Sequence, residues 1–174
     1  MKRLVLCSLL AFSAWSYEYK PGDWLLHAVL GRSVTFVRDD ATTIGQNILA
    51  GLEGEYMLSP RWSVTAAIRP TFGESAVLFG LGVGGKYRWI HAQTPLVPFA
   101  AFALTPSFYI PTVDGFKGHF NLGFRPSGGF EYFVSRDLSL GLEAALTPSF
   151  VFGGNTRNTL EASIEVLAGA TWRI

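Results

Sequence analysis

Residues 160–174 read LEASIEVLAGATWRI. Leu160, Ala162, Ile164, Val166, Ala168, Ala170, Trp172 and Ile174 fall on one parity, and Glu161, Ser163, Glu165, Leu167, Gly169, Thr171 and Arg173 on the other. A period of two marks an extended strand with two different faces, because successive side chains point to opposite sides. Residues 138–150 repeat it: Leu138, Leu140, Leu142, Ala144, Leu146 and Phe150 oppose Ser139, Gly141, Glu143, Thr147 and Ser149. The same reading carried along the chain predicts eight strands, at 24–37, 46–57, 62–72, 77–89, 97–110, 119–133, 138–151 and 159–173. Each is long enough to cross a bilayer, which takes ~9–11 tilted residues. No segment beyond the first sixteen residues offers the ~18 consecutive apolar residues of a membrane helix.

The connections alternate in character. Leu58-Ser59-Pro60-Arg61 and Val134-Ser135-Arg136-Asp137 are tight turns of the Ser/Pro/Asp kind, and 90–96 is slightly longer. The other set, 38–45, 73–76, 111–118 and 152–158, is rich in Asp, Thr, Gly and Asn. An exported chain with an even strand count keeps both termini in the periplasm, so the tight turns lie there and the second set faces outside.

Export is expected from residues 1–16. Lys2 and Arg3 precede an apolar run from Leu4 to Phe12, and Ala14-Trp15-Ser16 places small residues where a signal peptidase reads, so cleavage is expected after Ser16. Residues 17–174 would then form one domain. Cys7, the single cysteine, leaves with the leader, so no thiol chemistry remains. Removing Lys2 and Arg3 from the 14 basic residues leaves 12 against 13 acids. With 16% charged residues and no long charge run, nucleic acid is not an expected partner.

Alternation alone does not tell a soluble β-fold, apolar side inward, from a membrane barrel, apolar side outward. Three features favour the second. Aromatic residues gather near strand ends on the apolar parity: Trp24, Tyr56, Trp62, Tyr87, Trp89, Tyr132 and Trp172, with Phe36, Phe72, Phe108, Phe120 and Phe150, fit two interfacial girdles. The opposite parity mixes glycines with charges of both signs. Glu53, Glu55, Glu131, Glu143, Glu161 and Glu165 share it with Arg69, Lys86, Arg88, Arg125 and Arg173, near the balance that a narrow interior requires. A closed barrel also satisfies every backbone group. The expected architecture is therefore all-β: an eight-stranded antiparallel up-and-down transmembrane β-barrel.

Ile68-Arg69-Pro70-Thr71-Phe72, Leu104-Thr105-Pro106-Ser107-Phe108 and Leu146-Thr147-Pro148-Ser149-Phe150 share one pattern toward the outer ends of strands 3, 5 and 7. Proline cannot donate to a sheet ladder, so bulges or an end to regular pairing are expected there. Pro126, nearer the middle of its strand, has no account from the sequence.

Gly22-Asp23-Trp24-Leu25-Leu26 and Ala50 to Phe72 resemble the opening of OmpW-type barrels, and Gly128 to Leu140 resembles a hairpin widespread among OmpA-, OmpX- and OmpW-type outer-membrane barrels. The resemblance covers the whole chain after the leader. It implies residence in the bacterial outer membrane, with outer-membrane lipid and lipopolysaccharide as surroundings, the barrel-assembly machinery as a partner in biogenesis, and a monomer. Such barrels usually end in an aromatic residue; here Ile174 is last and Trp172 stands two places earlier.

Some barrels of this size are lipid-modifying enzymes, and lipid A deacylases carry a His-x-Ser pair. His27, His91 and His119 are followed two places later by Val29, Gln93 and Asn121, so none matches. His27 is expected to point inward as a packed polar residue. The acids lie on different strands with no metal-ligand spacing. Gly80 to Gly85 superficially resembles a phosphate loop, but lies within a strand and is expected to provide inward space. No catalytic residue, metal or cofactor is expected. The leading reading is a non-enzymatic barrel with a role in envelope integrity or surface interaction. The alternatives are a narrow channel for small or apolar solutes, as the OmpW-type resemblance implies, and a lipid-modifying enzyme.

Overall fold

The computed structural model describes residues 19–37, 45–74, 76–91, 94–112, 117–153 and 159–174. Eight strands follow in chain order: β1 (Trp24–Val37), β2 (Gly45–Met57), β3 (Trp62–Phe72), β4 (Ala76–Arg88), β5 (Leu96–Pro111), β6 (His119–Phe133), β7 (Leu138–Phe152) and β8 (Thr159–Arg173). Each pairs antiparallel with its neighbours in sequence, and β1 pairs with β8, so the sheet closes. The expected and observed strand limits differ by one residue at most. The leader and most of the outer connections lie outside the described residues.

Closure leaves no edge, and lipid offers no partner for an unpaired backbone group, so it is the condition for crossing the bilayer at all. Every strand alternates. The outward parity carries exposed apolar side chains on all eight, among them Leu30, Leu52, Ile68, Val83, Leu104, Phe124, Leu142 and Val166. The inward parity carries buried Glu53, Glu55, Arg69, Lys86, Arg88, Arg125, Glu131 and Glu165. Water does not support an apolar surface that encircles the molecule. The soluble arrangement is thereby overturned, and the chain is a transmembrane barrel.

The two well-described tight turns are built alike. In one, Leu58 and Ser59 N–H donate to the Trp62 carbonyl while Ser59 Oγ accepts from Arg61 and Trp62 N–H. In the other, Val134 and Ser135 N–H donate to Leu138 while Ser135 Oγ accepts from Asp137 and Leu138 N–H. The serine side chain takes the place of a turn carbonyl, which fixes the hairpin register.

The prolines interrupt regular pairing, as one of the two expected outcomes, and none forms a bulge. Pairing between β2 and β3 stops after Leu49↔Thr71 and resumes at Leu52↔Ile68, around Pro70. Between β4 and β5 it stops after Gly80↔Ser107 and resumes at Val83↔Leu104, around Pro106. Between β6 and β7 it stops after Gly123↔Ser149 and resumes at Ser127↔Ala145. That last interval contains Pro148 and also Pro126, so two prolines share one interruption. No residue is inserted in any of the three, so they are gaps at constant register and not bulges. Each proline remains paired on its other side, where Pro70 faces Phe79, Pro106 faces Leu122, Pro126 faces Phe102 and Pro148 faces Ala162.

Ahead of β1, Lys20-Pro21-Gly22-Asp23 forms a turn closed by Asp23 N–H to the Lys20 carbonyl at 3.1 Å. Pro21 sets the first corner, and Gly22 at φ +93° takes a conformation that a side chain would oppose. The turn folds Tyr19 back into the periplasmic mouth, where it is fully buried with Leu25, Met57, Val97 and Phe133. This apolar cap is the one conventional core among the described residues.

Candidate functional site

The interior holds two tiers of charge. In the lower tier, next to the periplasmic cap, Glu53 and Glu55 rise from β2, Lys86 and Arg88 from β4, and Glu131 from β6. The strand between β2 and β4 presents Ser63, Thr65 and Ala67 inward, and these small side chains let the β2 carboxylates reach the β4 cations. Arg88 is the hub. Its Nε and Nη2 donate to Glu131 at 3.0 and 3.1 Å, its Nη2 donates to Glu55 Oε2 at 2.8 Å, and its Nη1 reaches Glu55 Oε1. Its guanidinium also lies 4.7 Å from the Tyr19 ring centre, and the Tyr19 hydroxyl donates to Glu131 at 2.9 Å. Lys86 Nζ stands 3.2 Å from Glu55, 3.4 Å from Glu53 and 3.6 Å from Glu131. Arg69 completes the tier through Glu53.

Doubly bidentate pairing of this kind is the arrangement that offsets the desolvation of buried charges. It also answers two chemical possibilities. His27, Glu55 and Glu131 bring potential ligand atoms within 4.8 Å of one another. The Lys86 ammonium and the Arg88 guanidinium already sit against both carboxylates, so a divalent ion would have to displace them. Separately, His27 Nε2 lies 2.6 Å from Glu55 and Nδ1 lies 2.7 Å from the Thr171 hydroxyl, an alcohol–imidazole–carboxylate relay. A hydrolytic relay needs a substrate carbonyl beside the alcohol. The adjoining void measures about 30 Å³. That admits one or two waters and no acyl chain.

In the upper tier, Arg125 on β6 donates to Glu165 at 2.8 Å and to Glu143 at 2.7 Å, and the Thr147 hydroxyl donates to Glu165 at 2.9 Å. Here again β7 offers a small residue, Ala145, between partners two strands apart. Above this tier lies a cavity of about 80 Å³ whose lining includes Thr71, Thr105, Ser107, Asn121, Ser149 and Glu161. Around it several polar atoms make no hydrogen bond among the described residues, including Arg69 Nε, Arg125 Nη2, Thr105 Oγ1 and Asn121 Oδ1.

The outer surface is banded. Trp24 packs on Tyr56 at 5.0 Å between ring centres, Trp62 on Tyr87 at 4.8 Å and Tyr87 on Trp89 at 5.1 Å, all at the periplasmic end. At the other end Phe108 packs on Phe120 at 5.3 Å and Phe120 on Phe152 at 6.1 Å. Tryptophan and tyrosine therefore mark one interface and phenylalanine the other.

No protein-family model and no curated protein matches the sequence. Solved structures do match its shape. Neisserial surface protein A is similar at TM-score 0.69 and 14% identity, over 87% of this chain and 97% of its own. The N-terminal β-barrel domain of OprF from Pseudomonas aeruginosa is similar at TM-score 0.60 and 12% identity, over 90% and 100%. The outer membrane protein OprG from the same organism is similar at TM-score 0.55 and 13% identity, over 90% and 98%. The fold is that of the small outer-membrane β-barrels.

Within this barrel, all eleven charged residues singled out from the sequence lie on the inward parity, but they do not form one network. Glu53, Glu55, Arg69, Lys86, Arg88 and Glu131 make the lower tier, and Arg125, Glu143 and Glu165 the upper. Arg173 sits at the periplasmic rim, half-buried, 3.4 Å from Asp23. Glu161 borders the outer cavity and makes no ion pair among the described residues. Tyr132 and Trp172 lie outward at the periplasmic end with the other girdle residues. Of the other histidines, His91 is exposed in its turn and His119 stacks on Tyr109 at 4.2 Å at the outer rim.

Tyr19 was not among the residues expected to matter. The Pro21-Gly22 pair that turns it inward is a legible signal. The expectation that Gly80 to Gly85 provides inward space needs correction at Gly84, and Gly129 behaves in the same way. A Cβ at Gly84 would overlap the Phe102 carbonyl, and one at Gly129 the Leu142 carbonyl. These glycines permit close approach of neighbouring backbones and do not line open space.

Proposed function

We propose that this chain is a non-enzymatic outer-membrane barrel that serves envelope integrity or surface contact, with an interior that acts as a plug. The observation that carries the reading is the lower tier: Arg88 and Glu55 are wholly buried, Tyr19 seals the mouth beneath them, and the void beside them holds a water or two. Side chains fill the section that a solute would have to cross. Lipid and lipopolysaccharide would surround the outward face, the barrel-assembly machinery would insert the chain, and a monomer suffices because closure leaves no strand edge to share.

Planar-bilayer recording of the full-length protein tests this. The expected trace shows no steady single-channel conductance, and liposomes carrying the protein admit no small solutes. Sustained conductance together with solute entry would sink the plugged reading in favour of a narrow conduit, which the outer cavity supports. Bulky substitutions at Gly84 or Gly129 do not serve this test, because they would clash with backbone and not obstruct a lumen. A lipid-modifying role is addressed by mass spectra of lipid A from cells with and without the protein, where identical spectra are expected.

A further inference from the structure

Two polar side chains interrupt the lipid-facing surface. Arg32 on β1 and Gln46 on β2 both lie on the outward parity and are exposed. Among the described strand residues, every other outward side chain between the girdles is aliphatic, aromatic, proline or glycine. These two exceptions are neighbours. Arg32 pairs with Ile48 and Val34 with Gln46, so Arg32 and Gln46 are diagonal partners on one face of adjacent strands. Side chains in that relation are ~7–8 Å apart at the backbone, within joint reach of one small group.

Their depth is also defined. Arg32 lies eight residues along β1 from Trp24 in the periplasmic girdle. At ~3.3 Å per residue and a tilt of ~40°, that is about 20 Å up an apolar band ~25 Å tall. The guanidinium therefore starts just inside the outer boundary, where its long stem can carry the head to headgroup level. Gln46 lies one step nearer that boundary. On the lateral ladder Arg32 is flanked by Ile48 and Val166, and no acid occupies the outward parity within the described strands; Glu74, just past β3, is the nearest described acid on that side and makes no ion pair with Arg32. The interior carboxylates point the other way. A lipid phosphate alongside the wall can supply the counter-charge that the described strands do not.

We propose that Arg32 and Gln46 form a binding site for the phosphate of a phosphorylated lipid in the outer leaflet. The planar guanidinium offers two parallel N–H donors to phosphate oxygens, which suits arginine to that ligand, and the glutamine amide adds a third donor from the next strand. The site rests on the outer-membrane placement of the barrel and is independent of whether the interior conducts.

The test compares thermal midpoints of the full-length protein in nanodiscs of a neutral, phosphate-free galactolipid containing either bis-phosphorylated lipid A or the same lipid A with its phosphates removed. The phosphorylated lipid is expected to raise the wild-type midpoint by several degrees. Arg32→Leu should lose that increment, Gln46→Leu should lose part of it, and Arg32→Lys should keep part. In phosphate-free discs Arg32→Leu should melt no lower than wild type, since it removes a charge from apolar surroundings; this separates loss of a ligand from loss of fold. Retention of the full increment by Arg32→Leu overturns the proposal. So does an equal increment from inorganic phosphate added to galactolipid discs without lipid A, which would show that a free anion and not a lipid is taken.

Discussion

The two halves of the barrel interior solve the same problem unequally. The lower half places Arg88, Lys86, Glu53, Glu55 and Glu131 in mutual contact above an apolar cap and leaves a void of about 30 Å³. The upper half relies on one cation, Arg125, against two carboxylates, and leaves a cavity of about 80 Å³ edged with hydroxyls. A barrel whose outside is lipid turns the usual core inside out, so its rigidity has to come from polar groups that satisfy one another. The contrast teaches that such a core need be completed at one level only. The other level can stay loosely filled without opening a path.

That contrast can be broken by substitution. Arg88→Met leaves Glu55 and Glu131 facing each other with Lys86 as their chief remaining cation. The expected loss is about 3–5 kcal/mol in urea unfolding from lipid vesicles, the cost of stripping one partner from a buried pair. Arg125→Met removes the upper hub, but Glu165 borders the outer cavity and Glu143 the smaller void below it, so both can recruit water and about 2–3 kcal/mol is expected, in line with hydrogen bonds to charged groups. Equal losses in the same assay would erase the distinction between the tiers. Thr105→Val sharpens it from the other side. The Thr105 hydroxyl is buried without a partner, so replacing it should leave stability unchanged or raise it by up to about 1 kcal/mol. A clear loss on Thr105→Val would mean that the upper half is as tightly specified as the lower.

The strands and their faces are legible in the sequence because period two is a local property: each residue's parity is set by its neighbours in the chain. The partition into tiers is not local. Glu131 meets Arg88 from 43 positions away and through strands that are not adjacent, so their contact depends on how far each strand is staggered around the closed sheet. The same nonlocality explains the prolines. Pro70, Pro106 and Pro148 break regular pairing on one side, as expected, but the break is a short gap without a bulge because each is held in register by an uninterrupted ladder on its other side. Pro126 becomes intelligible only beside Pro148, because their shared interval is a fact about two strands. Arg32 and Gln46 were within reach of parity alone, since both fall on the apolar side of their strands, but their adjacency needed the β1–β2 register.

The banding of the outer surface has a spectroscopic consequence. Trp24, Trp62, Trp89 and Trp172 all stand at the periplasmic end, exposed on the outward face. Their emission therefore samples a single leaflet. When the barrel inserts into vesicles, the blue shift should time the arrival of that end alone. A quencher attached to lipid in the near leaflet should dim all four together, and one confined to the far leaflet should leave them bright. The placement of four indoles gives this barrel an internal clock for the seating of its periplasmic rim, silent about the outer one.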